Sequence, residues 1–204
     1  MIRIVRSALI LQHRYFFRIN LIKVLLLLPS CWVVNMDAIE AILSRRSIRK
    51  YNKKPVSDKL IKKLLEAAMN APSAGNEQPW HFIIINDPQI LSKIPTFHSH
   101  AQMLKEASFA FLVCSDIHLD KHNGMWVQDC SAATENILIA VQAEGLGAVW
   151  LGVHPREERI NGLKNLLNIP EHIIPFSLIS IGYPAEQKPK ADRYDDSRIH
   201  YNKW

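Results

Sequence analysis

From Asp37 onward, apolar side chains recur every three to four positions. Ile39, Ile42 and Leu43 form one stripe, and Asp37 followed by Glu40 resembles a capping box, so the spacing predicts a short helix opening near Met36. Ser57 precedes a second stripe, Leu60, Ile61, Leu64, Leu65 and Ala68, which predicts a helix stopped before Pro72. The period then changes. Trp80 to Ile85 has the character of a strand, broken by Asn86-Asp87-Pro88, and Phe109 to Cys114 is continuously apolar, as expected of a strand covered on both faces. A short helical piece is expected over residues 100–106. Residues 126–144 form the longest helix candidate; it is lined with Ala and other small residues and ends at Gly145, a favourable residue just past a helix. Ala148 to Val153 and Phe176 to Ile181 are two more apolar strands. Between them Pro155 suits the first turn of a helix carrying Ile160, Leu163, Leu166 and Leu167. Gly182-Tyr183-Pro184 is expected to open a polar tail. Strands separated by helices, without internal repeats, predict one α+β domain over residues 36–204.

Residues 1–35 follow a different pattern. Basic residues lead into Leu21 to Leu28 and then Pro29, and the uncharged stretch from Val24 to Val34 is too short to span a bilayer. A positive segment before an apolar one is the order of a signal peptide, but no small-x-small cleavage site follows. Two readings stand for this N-terminal extension. It is a membrane-surface anchor or packing extension, or it is an upstream translation of a protein that starts at Met36. Membrane contact is expected only under the first.

Charge changes the picture by its distribution. The 204-residue chain has a formal charge of +6, yet residues 1–35 hold five of its 25 basic residues and none of its 19 acidic ones. The remainder carries 20 basic against 19 acidic residues, so a nucleic-acid partner is not expected. Cys31, Cys114 and Cys130 are widely spaced, with no C-x-x-C; Cys114 in an apolar run and Cys130 in a helical one are expected to be buried free thiols, which implies a reducing, cytoplasmic setting.

Two stretches carry the chemistry. Arg45-Arg46-Ser47-Ile48-Arg49 places three guanidiniums and a hydroxyl at the end of the first predicted helix, and guanidinium forks match phosphate oxygens with paired charge-assisted bonds. Pro72-Ser73-Ala74-Gly75-Asn76-Glu77-Gln78-Pro79-Trp80 is a turn rich in side-chain amides that runs straight into a strand. Together they suit a cofactor with a phosphate and a flat polar ring: Arg45, Ser47 and Arg49 offer cations and a hydroxyl, Asn76 and Gln78 donors and acceptors. Each piece also has a plainer explanation. The arginines could complement a helix C-terminus, Ser73 and Asn76 could be ordinary turn residues, and Gly145 and Gly147 a helix stop and a turn. Trp150 is expected in the core.

These two stretches, with Gly145-Leu146-Gly147-Ala148-Val149-Trp150-Leu151-Gly152 and the closing Lys190-Ala191-Asp192-Arg193-Tyr194-Asp195, resemble the FMN-dependent nitroreductase family in order and spacing from Met36 to about the C-terminus. The resemblance implies a central, mostly antiparallel sheet flanked by helices, in a domain-entwined homodimer with FMN at the subunit interface. It implies that Arg45 and Ser47 hold the phosphate, joined by Arg193 from the tail, that Arg46 is also among the cofactor-binding residues, and that Arg49 approaches the N1/C2 edge of the ring. Arg193 could equally be a solvated tail residue. Pro72, Ser73, Ala74, Asn76 and Gln78 would reach the flavin of the second subunit, and the backbone at Leu151 and Gly152 would approach the ring near N5 and O4. NAD(P)H as electron donor, a small-molecule electron acceptor such as a nitroaromatic or quinone, and a ping-pong hydride-transfer cycle complete the implied activity. In that chemistry the flavin replaces catalytic side chains. Two alternatives share the resemblance: a specialised flavin enzyme performing reductive dehalogenation or flavin fragmentation, and a non-catalytic flavin-binding or redox-sensing protein.

One constellation lies outside that scheme. Asp116, His118, Asp120 and His122 alternate after the apolar strand, with His98 and His100 upstream, and an extended backbone would align the four on one face. No metal is expected there, because a polar loop is the ordinary sequel to a buried strand. The segment instead borders the mouth of the site.

Overall fold

Side chains at the predicted helix starts do cap helices. In the computed structural model, which describes residues 36–204, the Asp37 carboxylate accepts from the backbone N–H groups of Ile39 and Glu40 at the head of α1 (Ala38–Ser44). Ser57 likewise caps α2 (Asp58–Met69). Glu40 does not return the bond a capping box requires; its carboxylate takes the Lys190 ammonium at 2.6 Å instead. The expectations for residues 1–35 lie outside the described residues. No helix among the described residues is long and apolar enough to cross a membrane.

The sheet is built around β5 (Ile173–Pro184), which pairs antiparallel with β3 (Phe109–Asp116) on one side and β4 (Gly147–Gly152) on the other. β2 (Trp80–Ile85) extends the sheet beyond β3, and β1 (Tyr51–Asn52) pairs with the last two residues of β5. All these ladders are antiparallel, as the fold expectation required. β3 is apolar from Phe109 to Cys114 because both faces are covered there. Phe109, Phe111 and Val113 pack with Ile179 and Ile181 under α2 and α4 (Trp126–Ala143). Ala110, Leu112 and Cys114 pack with Leu178 and Val149 under α3 (Pro88–Lys93) and α5 (Glu157–Leu167).

Three local expectations are corrected. β5 does not end at Ile181 but runs through Pro184, because β1 offers the final residues a ladder partner. Gly182 makes room for this, since a Cβ there would lie 3.0 Å from the Tyr51 ring. Asn86-Asp87-Pro88 does more than break β2: Asp87 accepts from Gln89 N–H and Pro88 occupies the first turn of α3. The helical piece near residue 100 is a 3-10 segment, Ser99–Lys105. The stop at Gly145 holds, with φ +69° and its N–H bonded to the Gln142 carbonyl.

Cys114 and Cys130 are fully buried free thiols, and burial pushes both up to about 12. With Cys31 changed to Ser, the native protein is therefore expected to show no reaction with a thiol-titrating disulfide at pH 8 and two reactive thiols after denaturation. Rapid labelling of the native protein would contradict the burial of Cys114 in β3 and Cys130 in α4.

Candidate functional site

Arg45 ends α1, its N–H still bonded to the Ala41 carbonyl, and the chain then turns onto β4. Ser47 forms a parallel bridge with Ala148, and Ile48 N–H donates to the Ala148 carbonyl at 2.9 Å. Gly147 permits this approach, because a Cβ there would sit 2.8 Å from Ile48 Cγ2. Ile48 is buried, whereas Arg45, Arg46 and Ser47 are half-buried and Arg49 is exposed. Behind the segment, a Glu186 carboxylate oxygen accepts from Arg49 N–H at 2.5 Å and Lys50 N–H at 3.2 Å. Those bonds, the first above all, with Lys188 close by, hold the Glu186 carboxyl below the usual range. Lys188 also donates to the Ser47 carbonyl at 2.7 Å. Arg45 reaches Glu135 of α4 at 3.4 Å, not the carbonyls of α1, so helix complementation does not account for it. Arg45 pairs with Glu135 and Lys188 with Glu186, while among the described residues the Arg46 and Arg49 guanidiniums have no ion-pair partner, leaving a positive surplus on one short stretch.

The Pro72–Gln78 turn is held in an uncommon backbone shape. Gly75, Asn76 and Gln78 have φ of +53°, +58° and +51°, in the left-handed region that costs non-glycine residues about 1 kcal/mol or more each. Hydrogen bonds offset that cost. Ser73 Oγ accepts from Gln78 N–H at 3.1 Å, and Gln78 Nε2 donates to Asn76 Oδ1 at 3.1 Å. Ala74 N–H donates to the buried Asp129 carboxylate at 3.0 Å, while Glu77 accepts from Lys121 N–H. Asn76 and Gln78 remain exposed, Ser73 and Ala74 are half-buried, and Pro72 is exposed.

α4 is the common scaffold. Asp129 anchors the turn and Glu135 meets Arg45, six residues further along, or roughly 9 Å of helix. Within the described residues no hydrogen bond or ion pair joins the turn to the Arg45–Arg49 segment. Arg193 is exposed in the tail and forms no ion pair there either.

At the end of β4, Leu151 is buried and Gly152 exposed. The Gly152 carbonyl accepts from Arg159 Nη1 at 2.6 Å and lies 3.2 Å from His98 Nε2. His98 is buried, which, with Arg159 nearby, pulls its pKa down, so a neutral ring with the proton on Nε2 matches this acceptor. Trp126, Trp150, His154 and Phe176 make an aromatic cluster next along the chain, with Trp126 and His154 centroids 4.8 Å apart. Trp150, expected in the core, is half-buried and packs on Phe176 at the core's margin. Sequence reasoning missed Asp129, Glu186, Lys188 and Arg159, and gave neither Glu77 nor His98 the backbone-positioning role that all six share. Only Asp129, an acid in the first turn of a small-residue helix, carried a local signal.

The alternating acid–histidine set does not share a face, because β3 ends at Asp116 and the chain turns. Asp116 accepts from His118 N–H, Asp120 accepts from Gly124 N–H, and His122 lies by Glu77. His98 is committed to Gly152. The residue that does join Asp116 and His118 is His172, just ahead of β5.

The comparisons with known proteins agree on one family. The Nitroreductase family profile matches residues 42–108 and 98–183. A Methanothermobacter thermautotrophicus protein, named provisionally as an NADH dehydrogenase/NAD(P)H nitroreductase, is 52% identical over 172 residues, spanning 84% of this chain and 90% of that protein. A Parabacteroides distasonis crystal structure with the same provisional name superposes with a TM-score of 0.79 at 40% identity, covering 82% of this chain and 98% of that one. An FMN-dependent nitroreductase from Clostridium difficile gives a TM-score of 0.75 at 28% identity, covering 81% and 99%. With its arginine segment docked on β4 and its amide-rich turn anchored on α4, the chain belongs to the nitroreductase family.

Proposed function

We propose that the protein is a homodimeric, FMN-dependent oxidoreductase that draws reducing equivalents from NAD(P)H and delivers them to a small nitroaromatic, quinone or related acceptor in a ping-pong cycle. The observation that carries this reading is the Arg45–Arg49 segment, pinned to β4 by the Ser47–Ala148 bridge and holding more cations than nearby carboxylates. That donor set fits a phosphate dianion. The pairing of three left-handed residues with exposed amides at Asn76 and Gln78 fits the edge of a polar ring.

FMN, when bound, supplies the hydride and electron chemistry. The chain's task is to bind, orient and tune. Arg45, Arg46 and Ser47 hold the phosphate, with Arg193 closing from the tail. Arg49 sets a fixed positive charge by the N1/C2 edge, where negative charge grows on reduction. Leu151 and Gly152 present backbone to the ring, kept in place by the bonds at the Gly152 carbonyl. Pro72, Ser73, Ala74, Asn76 and Gln78 serve the partner's flavin. The homodimer is supported by the apolar face of α1, where Ile39 and Leu43 are 62% and 59% exposed. Tyr194, Tyr201 and Trp204 of the tail are exposed as well, as segments are that wrap a second subunit. Buried, unpaired Cys114 and Cys130 support a cytoplasmic setting.

Anaerobic stopped-flow mixing of the flavin-loaded protein with NADH or NADPH tests the activity. Bleaching of the flavin band is expected with at least one nicotinamide, followed by recovery on adding a quinone or nitroaromatic. Failure of both nicotinamides to bleach it would count against the dehydrogenase reading.

A further inference from the structure

We propose that Asp116, His118 and His172 form a binding site for a borderline divalent transition-metal ion such as Zn2+, separate from the flavin segments. A carboxylate oxygen and one nitrogen from each ring all lie within 4.8 Å of one another. Bonds of about 2.0–2.1 Å to a tetrahedral ion place donors roughly 3.4 Å apart, so the closure needed is little more than an ångström. The movable ligand is His118, whose side chain is 72% exposed. The other two are set by the sheet. Asp116 pairs with Ile173 and donates its N–H to the Pro79 carbonyl at 2.8 Å, and Ile117 N–H donates to the His172 carbonyl at 3.1 Å.

Among the described residues neither ring is hydrogen-bonded, and Asp116, whose Oδ1 accepts from His118 N–H at 2.9 Å, keeps its second carboxylate oxygen. His118 Nδ1 is 3.8 Å from Asp116 Oδ1, too far for a hydrogen bond, and the two imidazoles stack with centroids 4.7 Å apart and planes 4° apart instead of bonding to other groups. Two imidazoles and one carboxylate suit Zn2+, Co2+, Ni2+ or Cu2+ better than Mg2+ or Ca2+. Three protein ligands leave the ion an exchangeable position. It would open toward a cavity of about 410 Å³ lined by His81, Cys114, Asp116, Pro170 and His172. The ion would clip the end of β3 to the start of β5. It would also fix the root of the segment whose Lys121 N–H supports Glu77 in the flavin turn.

The test uses untagged, flavin-loaded protein, cleared of metal with a chelator and then dialysed. Calorimetric titration with Zn2+ is expected to show one equivalent bound, and Co2+ to give visible d–d bands. His118→Ala and His172→Ala should each weaken the affinity roughly tenfold or more, the scale at which even outer-sphere partners of a metal matter. His118→Ala removes only an exposed ring, so its fold is not at risk, and an unchanged flavin spectrum serves as the control. Absence of stoichiometric binding, or binding that either variant leaves intact, overturns the proposal.

Discussion

Arg45→Ala is expected to give a folded protein that purifies without its flavin. Arg45 faces Glu135 at 3.4 Å with 22% of its side chain exposed, and it takes no part in either core cluster. Removing it therefore costs the fold about what a part-exposed ion pair contributes, 1 kcal/mol or less. The effect on the phosphate is far larger. Each hydrogen bond to a charged group contributes about 1.5–3 kcal/mol, and a guanidinium makes two in parallel, so FMN affinity falls on the order of 100-fold or more. The substitution also leaves Glu135 near the phosphate without its cation, adding repulsion to the lost attraction. Arg45→Lys should fall between, keeping the charge and losing the fork. Flavin absorbance per protein after desalting, with Kd from fluorescence quenching, measures the series, and circular dichroism reports the fold. A yellow Arg45→Ala protein of unchanged affinity would place the phosphate elsewhere.

Local chemistry made much of this molecule legible in the sequence. Ser57, Asp37 and Gly145 signal helix boundaries through groups only one to three residues away, and the structure keeps each of them. The Arg45–Arg49 and Pro72–Trp80 stretches stood out because several unusual residues sit side by side. What stayed hidden depends on contacts distant in sequence. Nothing near Pro184 announces that Tyr51 will pair with it, so the end of β5 looked like a tail. Glu186 binds backbone at Arg49, and Asp129 binds backbone at Ala74; neither acid lies near its partner in sequence. His98 stood out only as a histidine upstream of the acid–histidine set, and the fold puts its ring 3.2 Å from the Gly152 carbonyl. His172 belongs to a cluster whose other members lie more than fifty positions earlier, and alternation misled there because the extended backbone stops at Asp116.

A mixed-dimer experiment separates a flavin site shared across subunits from one contained in a single chain. One parent carries Arg45→Ala. The other carries Asn76→Gly and Gln78→Gly, which delete both exposed amides without new strain, since φ of +58° and +51° suits glycine better than alanine. Each parent alone is expected to lose flavin. If the turn serves the partner, a heterodimer of the two has one site with an intact arginine segment and an intact turn, and one site that lacks both. Unfolding and refolding an equal mixture produces such heterodimers as half the population, so flavin binding should return to roughly a quarter of the wild-type level. If the turn serves its own chain, every site in every dimer carries a defect and no binding returns. Recovery in this mixture therefore assigns the Pro72–Gln78 turn to the second subunit. Failure to recover, with heterodimers verified by differential tagging, assigns it to its own.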